Sequence, residues 1–161
     1  MKKIGFGGGC HWCTEAIFQA LQGVEKVEQG WIASQPPHDF MSEAVIVHYT
    51  DLISLQVLIE IHLLTHSSTS LHRMRSKYRS AIYYFDVADR QLIADLLSDL
   101  SQLNKAEYVT LNIPFVAFKS NVEKQLNYYV KNKNAPFCTA YISPKLSALR
   151  AKYGKQVRES F

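Results

Sequence analysis

Strand-like and helix-like segments alternate along the 161 residues without a sustained β-α-β repeat, and no internal repeat or low-complexity tract interrupts them. That pattern predicts an α+β fold, an α/β two-layer sandwich with a mixed, mainly antiparallel sheet and flanking helices. The length suits one domain spanning 1–161 with a single core, and 47% hydrophobic with 20% charged residues belongs to the globular class.

Residues 2–6 read as a short strand feeding a glycine turn. Residues 10–21 follow as the first helix, with Ala16, Ile17, Ala20 and Leu21 on one stripe and Gly23 ending it. Loose alternation and β-branched side chains make 24–34 a strand, closed by Pro36 and Pro37, and 43–49 is the most strand-like run in the chain. Residues 51–64 return to helix, with Leu55, Leu58, Ile59 and His62 on one side. The hydroxyl-rich 65–70 reads as loop, 78–85 as strand, and 87–103 as helix with Leu92, Leu96 and Leu100 in register. Residues 108–118 are extended but interrupted by Pro114, and 121–132 is expected to be helical. Asn134, Ala135 and Pro136 turn the chain toward Cys138, which gives that cysteine a mobile-looking setting. Ser143 is expected to cap a last helix through Tyr153, with Pro144 at its first position.

A formal charge of +4 and a pI near 8.9 are mildly basic, with Lys and Arg spread over the C-terminal half as a solvated face. Nucleic-acid binding is not inferred from it. No stretch approaches the roughly 20 apolar residues of a spanning helix, and Met1-Lys2-Lys3 opens no signal-peptide run, so the chain is expected in the cytoplasm, off the membrane and as a monomer. Three cysteines fit a reducing compartment where thiols serve chemistry.

The chain is organised around Gly7-Gly8-Gly9-Cys10-His11-Trp12-Cys13-Thr14-Glu15. The glycines let the backbone leave a strand by a turn that side chains would block, placing Cys10 at a helix N-terminus. Unpaired N–H groups and the positive end of the helix dipole there favour a thiolate. The plainer alternative is a small buried cysteine, as free Cys usually is. Glu43 begins an apolar strand, where a partly buried carboxyl can keep a proton available, although a strand-end Glu is often merely solvated.

Gly9-Cys10-His11-Trp12-Cys13-Thr14-Glu15 resembles the Gly-Cys-Phe-Trp-x-x-Glu signature of the A-type peptide methionine sulfoxide reductases. Residues 41–49 resemble that family's His-Ala-Glu-x-Val-x-Val-x-Tyr strand, with Met41 and Ser42 in place of its His and Ala. Residues 78–84 resemble its Gln-Tyr-Arg-Ser-x-Ile-x-Tyr strand, and His62 and Thr65 fall on its His-Asp-Pro-Thr turn. The departures are His11 for the Phe after the cysteine, Trp31 for a binding-site Tyr, and Arg73 where an Asp is kept. Exchanging Phe for His removes about 1 to 2 kcal/mol of apolar contact with a methyl group.

The resemblance implies a fold with a long C-terminal coil and reduction of methionine-S-sulfoxide, free or in peptides, without a bound cofactor or metal. Cys10 would attack the sulfoxide sulfur, Glu43 would supply a proton and Tyr78 a hydrogen bond to the oxygen, while His11, Trp12 and Trp31 would line the substrate pocket. The resulting sulfenic acid would be resolved by Cys138, or by Cys13 three residues away, and the disulfide reduced by an external dithiol such as thioredoxin.

Three other readings compete. Cys10-x-x-Cys13 has the spacing of a thioredoxin-like dithiol oxidoreductase but lacks the preceding β-α-β context. A metal site could draw on Cys10, Cys13, Cys138 and His11, His62, His66 or His72, yet no second ligand pair has metal spacing. A paralogue that kept the fold and lost the activity is the third.

Overall fold

The computed structural model describes residues 1–70, 77–159 and 161. Its strands are β1 (Lys2–Gly7), β2 (Val24–Ala33), β3 (Ser42–Tyr49), β4 (Ala81–Tyr84), β5 (Leu111–Pro114) and β6 (Ala117–Ser120). They form a six-stranded sheet in the order β5-β4-β1-β3-β2-β6. Neighbours are antiparallel except β4 and β5, which run parallel. The helices are α1 (His11–Gln19), α2 (Leu55–Leu64), α3 (Asp89–Asn104), α4 (Tyr128–Lys131) and α5 (Ser143–Tyr153). A parallel pair cannot be joined by a tight turn, and α3 supplies the crossover between β4 and β5.

Strand alternation sorts the side chains onto two faces. Ile4 and Phe6 of β1, Val45 and Val47 of β3 and Ile82 of β4 share one buried cluster with Phe18, Leu58, Ile93 and Leu149 of the helices. Phe6 and Phe18 stack with ring centroids 4.7 Å apart, which seats α1 on β1. Ile32, Ala44, Ile46, Ala81 and Tyr83 form a second cluster on the opposite face, with Phe115 and Phe118 packed against it. Glu43 has the parity of Val45, so it lies on the helix side at the end of the sheet where β1 delivers the chain to Cys10.

The mixed, mainly antiparallel sheet is as expected, but its shape is more than an open layer. Phe115 N–H donates to Tyr84 C=O of β4, and the next amide, Val116 N–H, donates to Ala33 C=O of β2. Two consecutive residues thus bridge strands near opposite edges, so the sheet curls toward itself on the face away from the helices. Pro114, expected only to interrupt a strand, marks where β5 ends and the chain crosses to become β6.

Other boundaries move for local reasons. The second helix starts at Leu55, not 51, because the Ser54 side chain caps it by accepting Val57 N–H at 3.2 Å. The helix expected over 121–132 is absent: a 3₁₀ turn at Glu123–Gln125 is followed by Asn127 in the left-handed region (φ 56°) before the single turn of α4. Ser143 does not cap α5, since a π-helical turn at Cys138–Ile142 runs into it and Ile142 is already helical. The C-terminal segment is therefore long and outside the sheet, but folded into short helical turns.

Candidate active site

Gly8 carries φ +141°, and a Cβ there would stand 2.5 Å from Cδ2 of His66. Only glycine takes this turn beside the imidazole. The turn leaves Cys10 in an extended conformation just before α1, with its carbonyl accepting Thr14 N–H at 3.2 Å. The half-buried Cys10 thiol is lowered from 9.0 to about 7, chiefly because the Cys13 thiol donates a hydrogen bond to it and further because the Trp12 and Cys13 amides point at it. Burial and the negative charge of Glu43 act the other way. The same contact, with burial, pushes the Cys13 thiol far up. The helix start thus favours a thiolate as expected, while the largest contribution comes from a side chain.

Glu43 is 6% exposed. Its Oε1 accepts the His11 backbone N–H at 3.3 Å and lies 3.3 Å from His11 Nε2, and Lys77 Nζ is 3.5 Å from Oε2. The carboxyl is therefore tied to the amide immediately after Cys10. Ser42, where the family pattern has Ala, donates its hydroxyl to Lys77 C=O at 2.9 Å and accepts Arg79 N–H at 2.8 Å, fixing the segment that presents Tyr78. Arg79 is 3% exposed, and its guanidinium donates to Tyr83 Oη (3.0 Å), Phe40 C=O (3.0 Å) and Ile32 C=O (2.9 Å).

A cavity of about 510 Å³ opens on Cys10, with Cys13, Tyr78, His66, Phe137 and Tyr141 among its walls. Glu43, His11, Trp12 and Trp31 do not line it. Trp12 stands behind the Phe137 wall, with centroids 5.3 Å apart edge to face, and stacks on Tyr128 at 4.0 Å. Trp31 packs its edge on His11 at 5.2 Å. A larger cavity of about 810 Å³, between β2 and the C-terminal segment, touches neither Cys10 nor Glu43.

Glu15, the last residue of the signature, is 1% exposed and accepts the amides of Asn127 (3.0 Å) and Tyr128 (3.1 Å), which clasps the C-terminal segment to α1; burial raises its pKa. Cys138 has no exposed surface and burial raises its thiol. The mobile setting expected for it is corrected: it sits in a packed helical turn. All three cysteines are free. His62 bonds Gly7 C=O through Nε2 at 2.7 Å, and His66 Nε2 lies 2.8 Å from Ser80 Oγ, so both are held as structural side chains beside the glycine turn. Among the described residues no group of three His, Cys, Asp or Glu side chains could hold a metal, and no helix is long and apolar enough to cross a membrane. His72 and Arg73 lie outside the described residues. Lys77, which stands at the opening Gln of the resembled Tyr78 strand pattern, and Gln29 and Asn121, which belong to no motif, are missed by sequence reasoning; all three join the polar surroundings of His11 and Glu43.

Comparison with known proteins follows the same lines. The chain is 35% identical to a peptide methionine sulfoxide reductase MsrA of Deinococcus radiodurans over 95% of its length and 82% of that protein's. It is 30% identical to one from Acinetobacter baumannii, covering 95% of this chain and 96% of that protein. Among solved structures, reduced Mxr1 from Saccharomyces cerevisiae superposes with a TM-score of 0.71 at 20% identity, over 87% of this chain and 90% of that one. Methionine sulfoxide reductase A of Corynebacterium diphtheriae gives 0.67 at 20% identity, over 83% and 76%. The family description "Peptide methionine sulfoxide reductase" matches residues 2–157, and by that match across nearly its whole length this chain belongs to the family.

Proposed function

We propose that this protein reduces methionine-S-sulfoxide, free or in peptides, to methionine, with Cys10 as the attacking thiol. The observation that carries the reading is a thiol brought to about 7 at the mouth of a cavity, with a buried carboxyl bonded to the adjoining amide. The Cys10 thiolate attacks the sulfoxide sulfur. The sulfoxide oxygen takes a proton from the Glu43 side and a hydrogen bond from Tyr78, then passes with that proton to the Cys10 sulfur. Methionine leaves and Cys10 holds a sulfenic acid. Phe137, backed by Trp12, offers the apolar wall for the substrate methyl, and Trp31 holds the imidazole of His11 in place.

The sulfenic acid condenses with a second thiol, releasing water and forming a disulfide. Cys13 is the better placed first partner, because its thiol already bonds Cys10 and the thiolate that holds its proton is gone once Cys10 is oxidised. Cys138, buried in its helical turn and close enough for its charge to act on Cys13, is next in line. An external dithiol, thioredoxin by our reading, then reduces the disulfide. A fold neighbour, yeast Mxr1, has been solved in complex with Trx2. We place the protein as a monomeric domain in the reducing cytoplasm, where three free thiols persist.

The test is turnover of both methionine sulfoxide epimers with a dithiol present. Turnover of the S form is expected, and its absence overturns the reading. Trapping after one turnover should find Cys10 sulfenic acid in Cys13→Ser and not in Cys138→Ser; the reverse would make Cys138 the resolving thiol. The Cys10–Cys13 hydrogen bond also suits dithiol exchange, which reduction of insulin disulfides without any sulfoxide would reveal.

A further inference from the structure

His11 stands where the family pattern has an apolar Phe, yet it is enclosed in a polar cluster whose protons are fixed by the backbone. Gly30 C=O lies 2.9 Å from His11 Nδ1, and a carbonyl can only accept, so Nδ1 carries a hydrogen. Val122 N–H donates to Asn121 Oδ1 at 2.8 Å, which orients the Asn121 amide nitrogen toward Gln29 Oε1 (2.7 Å) and His11 Nε2 (3.4 Å). Gln29 is fixed in turn by donating its own Nε2 to Gln125 C=O at 3.0 Å. His11 Nε2 is thereby the accepting end of the ring, and it faces Glu43 Oε1 at 3.3 Å.

Both residues are 6% exposed. Two lone pairs facing each other at hydrogen-bond range, with almost no water to screen them, repel unless a proton lies between them. We infer that His11 and Glu43 form a carboxyl–imidazole dyad that holds one proton jointly, and that His11 keeps this proton at Glu43 for delivery to the substrate oxygen. The inference rests on the sulfoxide-reductase reading and assigns His11 a positioning role through Glu43 instead of contact with the substrate methyl.

The charges around the dyad are consistent with one shared proton. Lys77 Nζ lies 3.5 Å from Oε2, Cys10 is near enough to feel the carboxyl's charge, and Glu15, on the helix that begins at His11, is near enough for the imidazole's charge to act on it. Lys119 stands over the Trp31 ring at 5.9 Å. Whichever partner carries the proton at rest, transfer to the sulfoxide oxygen leaves Glu43 as carboxylate and His11 neutral. The proton ends in the Cys10 sulfenic acid, and the dyad regains one from solvent before the next cycle.

The test is the pH profile of the first turnover, read as sulfenic acid formed per enzyme in Cys13→Ser, with and without His11→Phe. Without the imidazole, the carboxyl has lost the partner that shares its proton. The alkaline limb should therefore move down by about one pH unit or more, so that the rate deficit of His11→Phe grows about tenfold between roughly pH 6 and pH 8. A deficit that is equal at every pH, or no deficit, overturns the dyad. Failure of the parent protein to reduce any methionine sulfoxide would instead overturn the reading on which the dyad rests. Should His11→Phe not fold, nitrogen NMR of His11 decides. Its ring should take up a second proton at lower pH in Glu43→Gln than in the unaltered protein, and coincident titrations would sink the proposal.

Discussion

Replacing Cys13 by Ala removes the hydrogen bond that does most to lower the Cys10 thiol, and leaves burial opposed only by two backbone amides. The thiol should then return from about 7 toward its ordinary 9.0. At pH 7 a thiol of pKa 7 is about half ionised and one of pKa 9 about 1% ionised, roughly a fiftyfold loss of thiolate. A more basic thiolate is also a better nucleophile, and a Brønsted slope near 0.45 restores about eightfold over two units. The net prediction is a loss of about sixfold in the rate at which Cys10 is alkylated by iodoacetamide at pH 7, with the midpoint of the alkylation profile rising by one to two units. Cys13→Ser keeps a donor at the same place and should stay within about twofold of the parent. Cys13 and Cys138 are buried, so modification of Cys10 is read selectively by peptide mass. A Cys13→Ala midpoint still near 7, or equal losses in Ala and Ser variants, would refute the donor role of Cys13.

Three further outcomes are expected. Arg79→Met strips donors from one phenol and two carbonyls in the interior and should cost about 3 kcal/mol or more, checked by urea unfolding; a loss under about 1 kcal/mol would contradict it. Phe18→Ala removes a fully buried ring stacked on Phe6 and should cost about 3 to 5 kcal/mol in the same assay. Between pH 7 and 9 the folded chain has released the Cys10 proton and the unfolded chain has not, so this pair makes stability rise with pH; above 9 the unfolded chain also releases Cys13, whose proton the fold retains, and stability should fall again. Melting temperature followed from pH 6.5 to 10 should show that rise and fall, and Cys13→Ala should flatten it.

What could be read from the sequence was local. Cys10 at a glycine turn before a helix, Glu43 at the head of an apolar strand and Tyr78 before Arg79 each depend on a few consecutive residues; in the structure Cys10 directly precedes α1, Glu43 is the second residue of β3, and Tyr78 lines the cavity that opens on Cys10. The rest depends on partners far apart in the chain. Asn121 meets His11 across 110 positions, and Glu15 meets Asn127 across 112, so no window of sequence displays either contact. The helix expected over 121–132 failed for a related reason: its carbonyls and amides are engaged by Gln29 and Glu15, and Asn127 turns left-handed to reach them. The cysteine at 138 looked mobile because Pro136 precedes it, while its burial is set by helices elsewhere.

Arg79 is a permanent cation whose described bonds run to two carbonyls and a phenol, and burial keeps that phenol from ionising. None of these groups gains or gives up hydrogen anywhere in the physiological range. The corner that joins the ends of β2 and β4 is consequently indifferent to acidity, and through the Arg79 N–H it holds Ser42, the residue next to Glu43. Such a frame lets the groups beside it change their ionisation without loosening what holds them.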